Sequence, residues 1–398
     1  MAINIQTLLD VINAKITTGV ASGSTDSDRL VELTAWRDNH QNAGFFNTFA
    51  DLPTADSANA GEFRRVGSDS DAAYYVSWRN KWKEITFTDS DVSQSYSTYT
   101  FQGSTSGYIS GGATPTLQNA ILKFSFTSDG NTSDVGDLTV TRTLVTGQSS
   151  SDNGYTSGGS APPLTPPDQN VIDKFPFPSD ANATDVGDLT VARSNLAGHS
   201  SADNGYTSGG TPGAKNEIDK FPFSSDGNAT DVGDLTASRR GQAGQSSDVS
   251  GYASGGGYPI SNVIDKFPFS SDANATDVGD ITLGRYLTTG QSSTVSGYVS
   301  GGNSPLEPNA HPPGVAKNSI EKFPFASDAN ATDIADLTAA RFWLVGQSST
   351  ASGYASGGYN PTSLYLNVID KFPFSSDANA TDVGDVGGAR GQAAGQQV

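Results

Sequence analysis

The stretch NVIDKFPFSSDANATDVGD, Asn262–Asp280, returns almost unchanged at Asn367–Asp385. Working outward from it, GYxSGG stands before each copy, and an Arg followed by a GQSS-like segment stands after. Together they make a unit of roughly fifty residues, a period that marks a repeat architecture. The Tyr of GYxSGG falls at Tyr108, Tyr155, Tyr206, Tyr252, Tyr298 and Tyr354. The Phe of KFxF follows at Phe124, Phe175, Phe221, Phe267, Phe323 and Phe372, and the Arg at Arg142, Arg193, Arg239, Arg285, Arg341 and Arg390. The units therefore number six, starting near 102, 147, 198, 244, 290 and 346.

Within a unit, turn chemistry places the strands. GQSS and GYxSGG are short small-residue segments separated by a few polar residues, which suits two inner strands joined by a hairpin. NVIDKFPF alternates in a way that directs Ile and Phe inward as a third strand. DANATDVGD reads as a turn and GDLTVAR as a fourth, outer strand. Four antiparallel strands per unit in radial repetition predict a mainly β chain with a six-bladed β-propeller over 95–398, an arrangement that leaves only short sheet edges. The order GYxSGG, apolar strand, polar turn, outer strand and Arg is similar to the kelch motif, with Arg193 and the following GHSS standing where that family has Arg before a Gly/His/Ser stretch. The sequence departs from kelch in the fourth strand, where Leu, Ile or Val replaces Trp. Two segments compete to close the ring: Glu84–Ser93 and the terminal AAGQQV.

The remaining chain differs from the repeats. Residues 1–45 carry apolar residues at helical spacing (Ile5, Leu8, Leu9, Ile12, Ile16, then Leu30, Leu33, Trp36), a short helical segment suited to attachment or oligomerisation. Residues 46–94 read as a small β-rich module with its own aromatic set, Tyr74, Tyr75, Trp78 and Trp82. Its DLP, YY and W segments resemble small modules of phage tail-fibre and other virion proteins. The repeats are similar to those of tail-fibre-like proteins from cyanobacterial and other aquatic phages.

Composition narrows the function classes. The 398 residues include no Cys, which removes disulfides and thiolate metal sites. A net charge of −19 disfavours nucleic acid and anionic membranes as partners. The start MAINIQTLLDVINAKI lacks the pattern of a secretory signal, and no apolar run reaches membrane-spanning length. The expectation is a product of the host cytoplasm that ends in a virion, with no membrane insertion.

Candidate chemistry is sparse. In DANATDVGD, Asp272, Asn274 and Asp280, like Asp180, Asn182 and Asp188, occupy positions one, three and nine of a calcium-type loop, although the Gly at six and the bidentate Glu are missing. The same residues favour turns for local reasons, so calcium is a minor alternative to no cofactor at all. Ser224, Asp226, Gly227 and Thr230 partly follow the Asp-box of sialidases, in that family a structural turn. No nucleophile, base and orienter stand at a defined spacing, and the three His residues read as loop or surface imidazoles. The repeated Arg residues are expected to tie neighbouring blades through carboxylates or carbonyls, and the Asp/Glu-Lys pairs before KFxF, absent only at Leu122, to be surface charge.

What varies between units is more informative. Insertions at 160–170, 303–319 and 359–367, and the connectors after each Arg, decorate one face of the disc. They supply Tyr258, Tyr286, Trp343, Tyr359, Tyr365, Asn309 and His311 as candidate contacts for sugar rings or protein. The resulting expectation is a phage tail fibre or tail- or capsid-attached adhesin. Residues 1–94 would contact other virion proteins as a homo-oligomer, a trimer being one form, and the propeller would bind a host surface glycan or protein. A purely structural virion protein and a propeller glycan depolymerase or sialidase-like enzyme are the alternatives.

Overall fold

A computed structural model describes residues 101–304 and 314–398, together with the strands Gly44–Phe46, Phe63–Val66, Ala73–Trp78 and Lys81–Ile85. The chain divides into two compact units at 98/99. In the first unit, the four strands form one sheet in chain order, the first pair parallel and the others antiparallel. The expected N-terminal helices lie outside the described residues, as do Asn309 and His311.

The second unit is a six-bladed propeller built from six four-stranded antiparallel sheets. Blade 2 shows the plan, with Thr146–Ser149 innermost, then Asn153–Ser157, Val171–Pro176 and Thr184–Asp188. Blades 3 to 6 have innermost strands Ala197–Ser200, Ala243–Ser246, Thr289–Ser292 and Val345–Ser348. Blade 1 takes Ala394–Gln397 as its innermost strand, against Ser106–Ser110, Ala120–Ser125 and Ser133–Asp137. The terminal segment thus closes the ring, and the innermost strands contact one another in a closed cycle.

The outer strand departs from the sequence reading. It is TDVGD, the second half of the segment read as a turn, whereas DLTVAR is a connector in every blade but the third, where the strand runs on to Arg239. Beyond TDVGD, the connector bonds the next blade. Thr190 donates both its backbone N–H and its hydroxyl to Asp219 of blade 3, at 3.0 and 2.7 Å.

Glycine and aromatic positions explain how blades pack. The GYxSGG Tyr of one blade lies against the two Phe of the next KFPF: Tyr155 stacks on Phe223 at 4.8 Å and tilts against Phe221 at 5.5 Å. Such ring pairs contribute about 0.5–1.5 kcal/mol each beyond burial. The Gly preceding the Tyr makes room within its own blade, since a Cβ on Gly154 would fall 2.3 Å from the Phe175 ring. A cluster of Tyr155, Ile172, Leu189, Leu196, Phe221 and Ala229 bridges blades 2 and 3, and equivalent clusters recur at the other junctions.

Around the axis, the six innermost strands approach backbone to backbone. A Cβ on Gly147, Gly198, Gly244, Gly290, Gly346 or Gly395 would stand 2.0–2.3 Å from the carbonyl oxygen of the preceding blade's Gly. Only a residue without a side chain fits. In contrast, Gly227 has nothing within 4 Å of its Cβ position, and sibling turns carry Ala there, as at Ala181 and Ala273. Gly227→Ala is expected to leave stability unchanged or raise it by up to about 1 kcal/mol in denaturant unfolding. A loss above about 1 kcal/mol would show that this turn is tighter than its spacing indicates.

Candidate functional site: the loop-bearing face

Antiparallel blades place the loops between second and third strands, and the connectors between blades, on one face. The hairpins between first and second strands lie on the other. Each connector meets the next loop through a two-residue bridge: Thr143↔Ser160, Ser194↔Thr211, Arg240↔Gly257, Tyr286↔Asn303, Phe342↔Tyr359 and, across the closure, Gly391↔Ala113. The first residue of every pair directly follows a repeated Arg. Six residues therefore occupy one backbone frame; Arg240 and Tyr286 are partly exposed there, whereas Thr143, Ser194, Phe342 and Gly391 are buried. Thr143, Ser194 and Gly391 are small; Arg240, Tyr286 and Phe342 are large.

The large half holds the aromatic candidates. Tyr258 is 42% exposed, meets Tyr286 edge-on at 6.2 Å, and has the Arg240 guanidinium 3.8 Å above its ring centroid. Phe342, Trp343 and Tyr359 form a second group with centroids 5.0–5.8 Å apart, and Tyr365 extends it at 5.4 Å from Tyr359. Tyr286, Trp343, Tyr359 and Tyr365 are half-buried, so their rings also pack the loops that bear them. Burial raises the phenol pKa of Tyr286 and of Tyr365 above the ordinary value.

Towards the axis, the next residue of each connector joins a ring of backbone hydrogen bonds. Leu144, Asn195, Gly241, Leu287, Trp343 and Gln392 each donate N–H to the preceding member's carbonyl, and Leu144 completes the cycle by donating to Gln392. All six have left-handed φ, between 55° and 64°. None is an acid. Inside this ring lies a cavity of about 110 Å³ along the axis, lined by the innermost glycines and by Thr146 and Thr289. Phe101 lines it too, and the chain enters the propeller there, on the hairpin side. Gln102 Nε2 donates to the Ser292 carbonyl, Gly103 N to that of Ser348, and Gln397 Nε2 to that of Phe101.

The repeated Arg residues are sealed between blades. Arg142 Nη2 meets Asp173 of blade 2 at 2.9 Å, both side chains fully buried, and also donates to the Thr156 carbonyl. Arg193–Asp219, Arg239–Asp265, Arg285–Glu321 and Arg341–Asp370 repeat the pair. The acid of the Asp/Glu-Lys dipeptide, read from sequence as surface charge, is therefore buried. The same carboxylate also accepts the N–H and hydroxyl of the Thr of the DLT or DIT connector. The closure differs: Leu122 stands in place of the acid, Gly387 in place of Thr, and Arg390 donates to the carbonyls of Gly111 and Gly387.

The D-x-N turns serve the same junctions on the outside. Asp180 accepts from Lys123 of the preceding blade at 2.9 Å, Asp272 from Lys220, and Asp226 from Lys174. Asn182 Oδ1 accepts the backbone N–H of Asp137, and Asn274 Oδ1 that of Asp234. Asp188 and Asp280 engage the next blade's Asn228 and Asn330 in turn through their backbone N–H. The six residues considered for calcium thus lie at blade junctions, the first two of each turn facing the preceding blade. Among the described residues no three of His, Cys, Asp or Glu are grouped to hold a metal ion.

His199 was also placed on the surface by the sequence reading, and the structure buries it completely. It replaces a Gln that elsewhere links two blades: Gln245 accepts from Ser254 and donates to the Tyr298 carbonyl of the next blade. The imidazole contacts Ser208 Oγ through Nε2 and the Gln245 carbonyl through Nδ1, and lies edge-on to Phe267 at 5.0 Å. Burial pushes its pKa down to about 4. Because the folded value lies below that of the unfolded chain, stability is retained above about pH 6.5 and falls as pH drops towards 4. The loss should total on the order of 3 kcal/mol and be absent in His199→Gln, as read by denaturant unfolding at pH 7 and pH 4. Parallel pH profiles would refute the assignment.

Compared with protein-family models the chain matches none, and compared with curated proteins it likewise finds no match. Among the described residues no helix is long and apolar enough to cross a membrane.

Proposed function

We propose that the protein is a virion component whose propeller recognises a host surface glycan or protein through the loop-bearing face, while residues 1–94 attach it to other tail or capsid proteins. The observation that carries this reading is the asymmetry of that face. The six junctions share one backbone frame, yet the residues held in it change from Thr, Ser and Gly to Arg, Tyr and Phe, of which Arg240 and Tyr286 are partly exposed while Phe342 is buried. Positions that only hold blades together have no reason to vary in this way. The chain enters the propeller on the hairpin side, opposite the loop-bearing face. The assignment to a tail fibre or related adhesin rests on the sequence resemblance described above.

Binding of the full chain to a glycan array and to a panel of bacterial cells tests the proposal. Specific retention is expected, weakened about ten-fold or more by Tyr286→Ser. Val249→Ser and Val295→Ser, in exposed hairpins of the opposite face, should leave it unchanged. Absence of retention, or equal loss from both faces, would defeat the recognition role.

A further inference from the structure

The large half of the loop face carries a charge that the rest of the propeller does not. Among the described residues of the propeller every Lys and Arg has a carboxylate within ion-pair distance except Arg240, Lys317 and Arg390. Arg390 is buried at the closure. The other two are partly exposed and both belong to the loop face, Arg240 on a connector and Lys317 on the loop ahead of a third strand. In a chain with 42 acidic residues against 23 basic ones, two cations left without acids on the same face are a departure from the general pattern.

Arg240 is also held in a particular way. Its backbone is fixed by the bridge to Gly257, and its guanidinium lies over the Tyr258 ring. Stacking occupies a flat face of the guanidinium and leaves its N–H donors, which point outward from the edge, for a ligand. A planar fork of this kind matches a carboxylate in bidentate fashion. Beside it, Tyr286 presents a phenol ring against the edge of Tyr258, and aromatic faces and edges of this type suit the C–H surface of a sugar.

We propose that the Arg240–Tyr258–Tyr286 corner seats an acidic sugar of an oligosaccharide, its carboxylate taken by Arg240, which Tyr258 holds in place, and its ring by Tyr286. This rests on the proposed recognition role and narrows it to carboxylated glycans. The chain's overall negative charge does not forbid such binding, because repulsion from acids farther away than about 8 Å is screened at physiological salt. The short-range guanidinium contact remains.

The test uses the full chain and a set of oligouronates and sialylated oligosaccharides, each alongside its neutral methyl ester, with sulfated and uncharged oligosaccharides as further arms. The acid should bind at least about ten-fold more tightly than its ester, and the difference should shrink with added salt. Arg240→Gln should abolish the preference, Arg240→Lys should retain part of it, and neither should shift the thermal midpoint. Equal binding of acid and ester, or an acid preference that survives Arg240→Gln, overturns the inference while leaving the glycan reading in place. Retention of sulfated chains alone overturns the carboxylate assignment. No glycan bound in any arm removes the glycan reading and this inference together.

Discussion

Asp370→Leu is expected to destabilise the propeller by about 3–5 kcal/mol, because it leaves the Arg341 guanidinium buried without its counter-charge. The two side chains are fully buried 2.9 Å apart, and Asp370 also accepts the Thr338 N–H at 2.9 Å and its hydroxyl at 2.7 Å. Removing the acid orphans all three donors at once, whereas removing Arg341 as well relieves the charge. Arg341→Met/Asp370→Leu should therefore recover much of the loss, since well-packed apolar replacements of buried pairs are often close to neutral. The closure provides an internal comparison. Arg390 has Leu122 opposite and only carbonyls as acceptors, so Arg390→Met leaves no buried carboxylate behind and should cost less than Arg341→Met. Urea unfolding of the four variants decides the matter. A loss below about 1 kcal/mol for Asp370→Leu would mean that water reaches the pair.

Gly290→Ala is expected to cost about 3 kcal/mol or more, at the upper end of overpacking effects. The added Cβ would lie 2.0 Å from the Gly244 carbonyl oxygen and 3.0 Å from Gln245 Nε2. The first of these is backbone, which cannot swing away as a side-chain end can. Relief requires moving one innermost strand outward, and each innermost strand also contacts the one on its far side. Denaturant unfolding beside Gly227→Ala, whose methyl meets open space, separates this steric effect from the general effect of losing a glycine. A small loss at Gly290 would show that the inner ring expands at little cost.

The repeat was legible because fixed spacing exposes the constraints common to every blade. The Tyr, the Phe pair and the hairpin glycines each have one local job, and together they predict the blade number, the two inner strands and the third. The outer strand was misplaced because DLTVAR satisfies β propensity as well as TDVGD does. What distinguishes them is pairing with the third strand, which Thr184–Asp188 makes and the following connector does not, and no local preference announces that register. Burial of the Asp/Glu was hidden for a related reason. Asp173 stands beside Lys174 in a charged pair that reads as solvent-facing, and only the return of Arg142 from the preceding blade makes it interior. His199 could have been found from the repeat itself, since it occupies a position whose Gln siblings all bridge blades. At the loop face, the sequence identified the aromatic residues, but not Arg240. Its isolation from acids is visible only once the ion pairs of the other propeller cations have been assigned.

The entry segment has a mechanical consequence. Phe101, Gln102 and Gly103 are bonded to blades 1, 5 and 6 together, and Thr105 and Ser106 donate to the Val398 carbonyl beside the closing strand. A pull applied through the preceding chain therefore does not meet a single terminal strand that can be peeled away one bond at a time. The tension is divided among three blades and carried into the closed ring of innermost strands. A target gripped on the opposite face would load the disc along its axis, the direction in which many junctions bear the force in parallel.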